Sequence, residues 1–257
     1  MIPDLPQIFL RAPLAHRALH DVAAGRPENS RAAIRAAIQA GYGIEIDVQL
    51  SGDNRAMVFH DDTLDRLTQH KGPLRAHSAA ALAQIPLRGG DGEGIYPLET
   101  VLEQVAGQVP LLIEIKDQDG AMGPNVGPLE QAVATAISNY DGPLALMSFN
   151  PHAVRVLARL CPNVPRGLVT SAYRPGEWSL PTDLCDTLRD IPDFDSCAAA
   201  FISHEVDDLT RPRVAQLKAR GAAILCWTVT SAAQEEQARK IADNITFEQY
   251  NAAIPLE

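Results

Sequence analysis

Short β-type apolar runs alternate with stretches whose apolar residues recur at helical spacing along most of this chain. Runs at 14–16, 44–48, 111–115, 144–148, 167–170, 200–203, 224–229 and 244–247 predict eight strands. Helical spacing predicts helices over 29–41, 98–106, 129–139, 151–160, 211–220 and 232–241. The first helix starts after Pro27 with Asn29 or Ser30 as its cap, and it stops at Gly41. Eight strands with crossovers are the pattern of an α/β fold of the closed (β/α)₈ TIM barrel type. An open doubly wound sheet is the runner-up, but no Gly-rich nucleotide turn follows the first strand.

One segment breaks the alternation. Between Glu45 and His60 there is no room for the dozen or so residues that a parallel crossover needs. Ser51-Gly52-Asp53-Asn54 is turn chemistry between two β-like runs, so 44–60 reads as a β-hairpin extending strand 2. Symmetry about Gly52 and Asp53 sets position 45 opposite position 60, which returns His60 to the level of Glu45. The stretch 61–97 is rich in turns, Ala and Gly, and has too few apolar residues for a core of its own. It reads as a small inserted segment over the barrel mouth within a single domain spanning 1–257.

Composition narrows the classes. Nearly half of the 257 residues are apolar, enough for a sizeable core. The net charge of −10 argues against nucleic acid or an anionic membrane surface as partner, while leaving room for a local basic pocket that binds a small anion. Cys161, Cys185, Cys197 and Cys226 are widely spaced with no Cys-x-x-Cys pattern, and read as reduced, buried thiols. No run approaches the ~18 apolar residues of a membrane span, and the N-terminus lacks the pattern of a secretory leader. The expectation is a soluble, cytoplasmic protein without integral membrane association; the oligomeric state is left open.

Against that background, acids inside apolar runs stand out, since burying them requires a compensating cation or proton. Glu45 and Asp47 lie two apart on one strand and face the same way. Glu114 interrupts Leu111-Leu112-Ile113-Glu114-Ile115-Lys116 on the next barrel strand. Three oxygen donors suit one divalent metal ion, Mg²⁺ or Ca²⁺. The structural alternative pairs one acid with Arg or Lys and sets the other at a strand end. Arg17 and Lys116 are cations placed to hold a phosphate oxygen, although Lys116 also has a purely neutralising role beside Glu114. His16 and His60 are the candidate proton carriers, because imidazole serves as both acid and base near neutrality. His204, at a strand end, is held in reserve. A hard metal flanked by two imidazoles points to hydrolysis of phosphate esters.

The chain resembles the glycerophosphodiester phosphodiesterase family. The resemblance is carried by His16-Arg17, Pro27-Glu28-Asn29-Ser30, Glu45-Ile46-Asp47-Val48, Val58-Phe59-His60-Asp61, Pro97-Leu98-Glu99-Thr100-Val101-Leu102, Ile113-Glu114-Ile115-Lys116, Ser148-Phe149 and Trp227-Thr228-Val229, in that order. It implies a (β/α)₈ barrel with a small insertion after the hairpin, and a divalent metal on Glu45, Asp47 and Glu114. It further implies acid/base duty for His16 and His60, phosphate contacts from Arg17 and Lys116, and Trp227 near the pocket against a glycerol or alcohol moiety. The implied reaction is metal-dependent cleavage of a small-molecule phosphodiester, a glycerophosphodiester, to glycerol 3-phosphate and an alcohol. Rival readings are lysophospholipids or another unusual phosphodiester, and a barrel that binds a phosphorylated ligand without turnover. Three departures fall around the barrel mouth: Ala18 where the family usually has Gly, a long connection from His16 to Pro27, and Thr246-Phe247-Glu248 where it usually has Thr-Asp.

Overall fold

The computed structural model describes residues 3–255. Its strands are β1 (Leu14–Ala15), β2 (Gly43–Leu50), β3 (Ala56–Val58), β4 (Leu111–Ile115), β5 (Leu144–Ser148), β6 (Arg166–Thr170), β7 (Phe201–Glu205), β8 (Ala223–Val229) and β9 (Asn244–Phe247). All but β3 pair in parallel in the order β1-β2-β4-β5-β6-β7-β8-β9, and β9 pairs back to β1 to close the ring. The expected (β/α)₈ barrel is therefore present, with β3 bonded antiparallel to β2 as an extension.

Alternation along each strand decides which residues face where. On β2, Ile44, Ile46 and Val48 face outward and are fully buried with Ala33, Ile34 and Ala37 of α1 (Arg31–Ala40). Burial of each branched side chain is worth roughly 1.5–3 kcal/mol. Ser30 caps α1 by accepting from the Ala33 amide at 3.0 Å, and Gly41 ends it in the left-handed region. The remaining helices are α2 (Ala79–Leu82), α3 (Leu98–Val105), α4 (Pro128–Ile137), α5 (Pro151–Leu160), α6 (Thr182–Arg189), α7 (Pro212–Ala219) and α8 (Ala232–Ala238). Sequence spacing did not predict α2 or α6. α6 buries only Cys185 and Leu188, too few apolar positions to register as a periodic face.

The inner face is apolar at one end. Leu14, Leu112, Ala145, Phe201 and Leu225 pack together there with Leu5 and Phe9. The packing is tight enough to require glycine: a Cβ on Gly43 would lie 2.5 Å from Leu14, and one on Gly167 would lie 2.4 Å from the Phe201 ring. The short 3₁₀ turn Gln7–Leu10 covers this end with Phe9 fully buried. Asn244 ties it down, its Nδ2 donating to the Phe9 and Ala12 carbonyls, each at 2.7 Å.

The hairpin departs from its expected register by one residue. Val48 pairs with Val58 and Leu50 with Ala56, so position 60 corresponds to 46 rather than 45. The cause is a three-residue loop in place of the two-residue one assumed. The Ser51 amide bonds the Arg55 carbonyl at 2.9 Å, and Asn54 takes the left-handed conformation. Beyond β3, Leu64, Leu74, Leu82, Ile85, Leu87 and Ile95 bury one another, closed by Met57 and Phe59 from the hairpin.

Replacing Asn244 with Leu strands one buried and one half-buried carbonyl, and a loss of about 1–3 kcal/mol is expected. Urea unfolding of the variant measures it; an unchanged midpoint would show that the turn does not need the tie.

Candidate active site

At the other end of the barrel the inward positions become polar. Glu45 and Asp47 of β2 and Glu114 of β4 are buried, with one oxygen of each within 4.8 Å of the others. Asp47 pairs directly across from Glu114 in the parallel register. Lys116, just past β4, reaches both: its Nζ lies 2.7 Å from Glu114 Oε1 and 3.3 Å from Asp47 Oδ1. Burial opposes that ammonium, but the two carboxylates outweigh burial and raise its affinity for the proton. Asn29 clamps Asp47, donating to Oδ2 at 2.9 Å and accepting from the Asp47 amide at 3.2 Å. Burial likewise disfavours the Asp47 anion, yet Lys116, His60, Arg17 and Asn29 together hold it well below the usual carboxylate range.

Glu45 is left out of this compensation. Its Oε2 accepts from the Arg17 amide at 2.8 Å, while its buried Oε1 has no partner among the described residues. Burial, reinforced by the charges of Asp47 and Glu114, pushes its carboxyl well above the ordinary range. A buried, orphaned oxygen beside two more carboxylates is the signature of a place for a cation. All three donors are hard oxygens, which suit Mg²⁺ or Ca²⁺. The triad thus fits a divalent metal.

Two histidines line the same cavity of about 540 Å³ as Glu45 and Glu114. His16 Nδ1 lies 2.7 Å from Glu248 Oε2, and His60 Nδ1 lies 2.7 Å from Asp61 Oδ1. Each imidazole commits Nδ1 to a carboxylate, which leaves Nε2 as the nitrogen free to move a proton. Arg66 grips Asp61 through Nε at 2.8 Å and also holds Glu28. Burial acts against the Asp61 anion, but bonds from His60 and Arg66 hold it well below its ordinary value. Bonds from His16 and then His20 do the same for Glu248. Gln49 fixes the His60 carbonyl at 3.0 Å, which locks the end of the hairpin.

Arg17 also lines the cavity, with Nη1 on Glu28 at 2.9 Å and Nε 3.7 Å from Asp47. The turn here is tight: Arg17 and Ala18 both have positive φ, and the Ala18 amide bonds the Glu45 carbonyl at 2.9 Å. Ala18 therefore accepts a conformation that costs an ordinary residue about 1–2 kcal/mol, where glycine would sit freely. Trp227 lines the cavity too, its indole N–H donating to the Ser203 carbonyl at 3.0 Å and its ring edge-on to Phe149 at 5.5 Å. Trp178 packs against Phe149 with ring centres 5.0 Å apart and planes tilted by 58°, which extends an aromatic wall. His204 is absent from the cavity lining; buried, it bonds Thr170 and Asp208.

His16, Arg17, Glu45, His60, Glu114, Lys116 and Trp227 thus line one cavity with Asp47 beside Glu114, while the reserve candidate His204 lies apart. Sequence reasoning missed the partners Asn29, Asp61, Gln49 and Glu248. Asp61 was adjacent to its histidine. Asn29 was read as a helix cap and Glu248 only as a departure from a pattern.

Comparison with known proteins places this geometry. The model of the Glycerophosphoryl diester phosphodiesterase family matches residues 16–246. YhdW of Bacillus subtilis is 28% identical over 226 residues, covering 85% of this chain and 86% of that protein. The glycerophosphodiester phosphodiesterase of Caldanaerobacter subterraneus is 30% identical over 163 residues, 60% of this chain and 65% of that one. Among solved structures, an Oleispira antarctica phosphodiesterase in complex with the product sn-glycerol-3-phosphate aligns with a TM-score of 0.76 and 26% identity, over 93% of both chains.

The triad makes two linked predictions. Mg²⁺ or Ca²⁺ at about 100 times Kd should stabilise the protein by about 2.7 kcal/mol, a Tm rise of about 5–10 °C. Glu45→Gln should stabilise the metal-free protein, since it removes the uncompensated acid, and should abolish most of the metal-dependent rise, as should Glu114→Gln. Thermal unfolding with and without metal reads both; a wild type indifferent to either ion would exclude the triad as a metal site.

Proposed function

The chain belongs to the glycerophosphoryl diester phosphodiesterase family of enzymes, and from that membership we propose that it hydrolyses glycerophosphodiesters to glycerol 3-phosphate and an alcohol. The observation that carries the reading is the pair of carboxylate-tethered imidazoles, His16 and His60, lining one cavity with Glu45 and Glu114 of the acidic triad.

When bound to Glu45, Asp47 and Glu114, a divalent ion, Mg²⁺ or Ca²⁺, supplies a Lewis acid that neutralises charge developing on the non-bridging phosphate oxygens. The chain's own groups do the rest. Arg17 and Lys116 present cations to the phosphate from within the cavity lining, and the tie of each to an acid fixes its position. One imidazole takes the proton of the attacking hydroxyl, either from water, which gives glycerol 3-phosphate directly, or from the glycerol itself, which gives a cyclic phosphate that water then opens to glycerol 3-phosphate. The other returns a proton to the departing alkoxide. Glu248 and Asp61 keep each ring in the tautomer that leaves Nε2 available, and stabilise the imidazolium each ring passes through. Phe149, Trp178 and Trp227 offer an apolar surface to the alcohol side.

That partly exposed aromatic wall supports a second reading, in which a lysophospholipid replaces the water-soluble diester. Among the described residues no helix is long and apolar enough to cross a membrane.

Metal-dependent release of choline or ethanolamine from glycerophosphocholine or glycerophosphoethanolamine is the expected result, with lysophospholipids and other diesters assayed in parallel. No release from any of them would overturn the reading. His60→Ala should lower turnover about 10²–10⁴-fold while keeping the metal-dependent rise in Tm. Unaltered kinetics in that variant would remove His60 from proton transfer.

A further inference from the structure

Two hydroxyls in the same cavity have no part in the chemistry above. Ser203 on β7 and Thr246 on β9 line the cavity, yet Ser203 is 0% exposed and Thr246 1%. Neither Ser203 Oγ nor Thr246 Oγ1 has a hydrogen-bond partner among the described residues. Buried hydroxyls are ordinarily bonded, and Ala and Val would fill these positions without leaving a polar atom orphaned. The inward-facing register neighbours, Val169 and Leu225 for Ser203 and Leu14 for Thr246, are pure hydrocarbon, so packing against them does not demand polarity. A chain that keeps two hydroxyls on a cavity wall without a protein partner forgoes stability there, which is characteristic of ligand contact.

Their placement gives the cavity two unlike ends. Ser203 stands across the ring from β2, and Thr246 stands beside the strand leading into His16. Phe149, Trp178 and Trp227 are half-buried and form the outer, apolar end. The indole N–H of Trp227 is already used on the Ser203 carbonyl, so that ring offers the cavity only its carbon surface while the serine hydroxyl stays free. With Glu45, Glu114 and the two imidazoles also on the lining, a phosphodiester held there has one ester arm toward the hydroxyls and the other toward the aromatics.

We infer that Ser203 and Thr246 are specificity-determining residues that hydrogen-bond free hydroxyls on the inner ester arm. The enzyme therefore reads a polyol arm inward and leaves the outer alcohol to the aromatic wall. The inference rests on the phosphodiesterase reading for the identity of the phosphate. It goes beyond that reading in assigning which arm points inward and which side chains select it. A diester whose inner arm lacks hydroxyls would leave both side chains buried and unpaired, which is how a polar site rejects a deoxy analogue.

Isothermal titration with three probes at saturating Mg²⁺ tests this: glycerol 3-phosphate, n-propyl phosphate with the same carbons but no hydroxyls, and inorganic phosphate as baseline. The wild type should prefer glycerol 3-phosphate over propyl phosphate about 100-fold, from about tenfold for each hydroxyl contact. Ser203→Ala and Thr246→Val should each lose about tenfold for glycerol 3-phosphate and nothing for propyl phosphate, and the double variant should lose about 100-fold. Thr246→Ser, which keeps a hydroxyl, should retain most of the preference. Tm of Ser203→Ala and Thr246→Val should hold or rise, because each removes an unpaired buried hydroxyl. Equal wild-type affinity for the two organic phosphates would overturn the inference, as would variants that weaken both alike or that lower Tm. Turnover of glycerophosphodiesters is measured alongside. Hydrolysis with level binding would sink this inference and spare the catalytic reading; selective binding without hydrolysis would do the reverse.

Discussion

Like charge confined inside a barrel is the constraint from which the rest of this structure follows. Glu45, Asp47 and Glu114 bring three buried carboxyls within 4.8 Å of one another, and no such cluster persists uncompensated. Lys116 settles Asp47 and Glu114 but does not reach Glu45. The Arg17 amide is turned onto Glu45, which draws the chain after β1 into two consecutive left-handed residues and sets His16 at the rim. Asn29 is bent into the left-handed region to clamp Asp47 from both sides, and α1 starts at the next residue but one. Local strain at the head of the chain thus traces to the charges it surrounds.

Much of this was legible in the sequence, because strands that carry acids on one face and branched apolar residues on the other read the same in one dimension as in three. Ile-Glu-Ile-Asp-Val displays both faces of β2 at once, and Leu-Leu-Ile-Glu-Ile does so for β4. The hairpin was legible from the impossibility of a crossover between Glu45 and His60, while its register was not. That depends on whether Asn54 joins the loop, a matter of one residue's backbone. α6 was invisible because it buries just Cys185 and Leu188 and follows a segment punctuated by Pro175, Gly176 and Pro181.

The partners of the site were the least legible. His16 and Glu248 are 232 positions apart, and no periodicity connects them. Asn29 and Asp47 are 18 apart, on elements whose relative placement only the closed ring fixes. Ser203 and Thr246 read in the sequence as ordinary strand residues; what sets them apart is that their hydroxyls have no partner among the described residues, and a missing contact leaves no trace in a string of letters.

The turn pinned beneath the barrel by Asn244 has a consequence for traffic. With Phe9 and Leu5 stoppering the lower end, the chamber is a blind alley rather than a tunnel. Whatever enters must back out through the same doorway, past Phe149 and Trp227. A molecule cut in two inside such a chamber leaves as a queue: the piece nearest the doorway departs first, and the piece lodged behind it waits its turn.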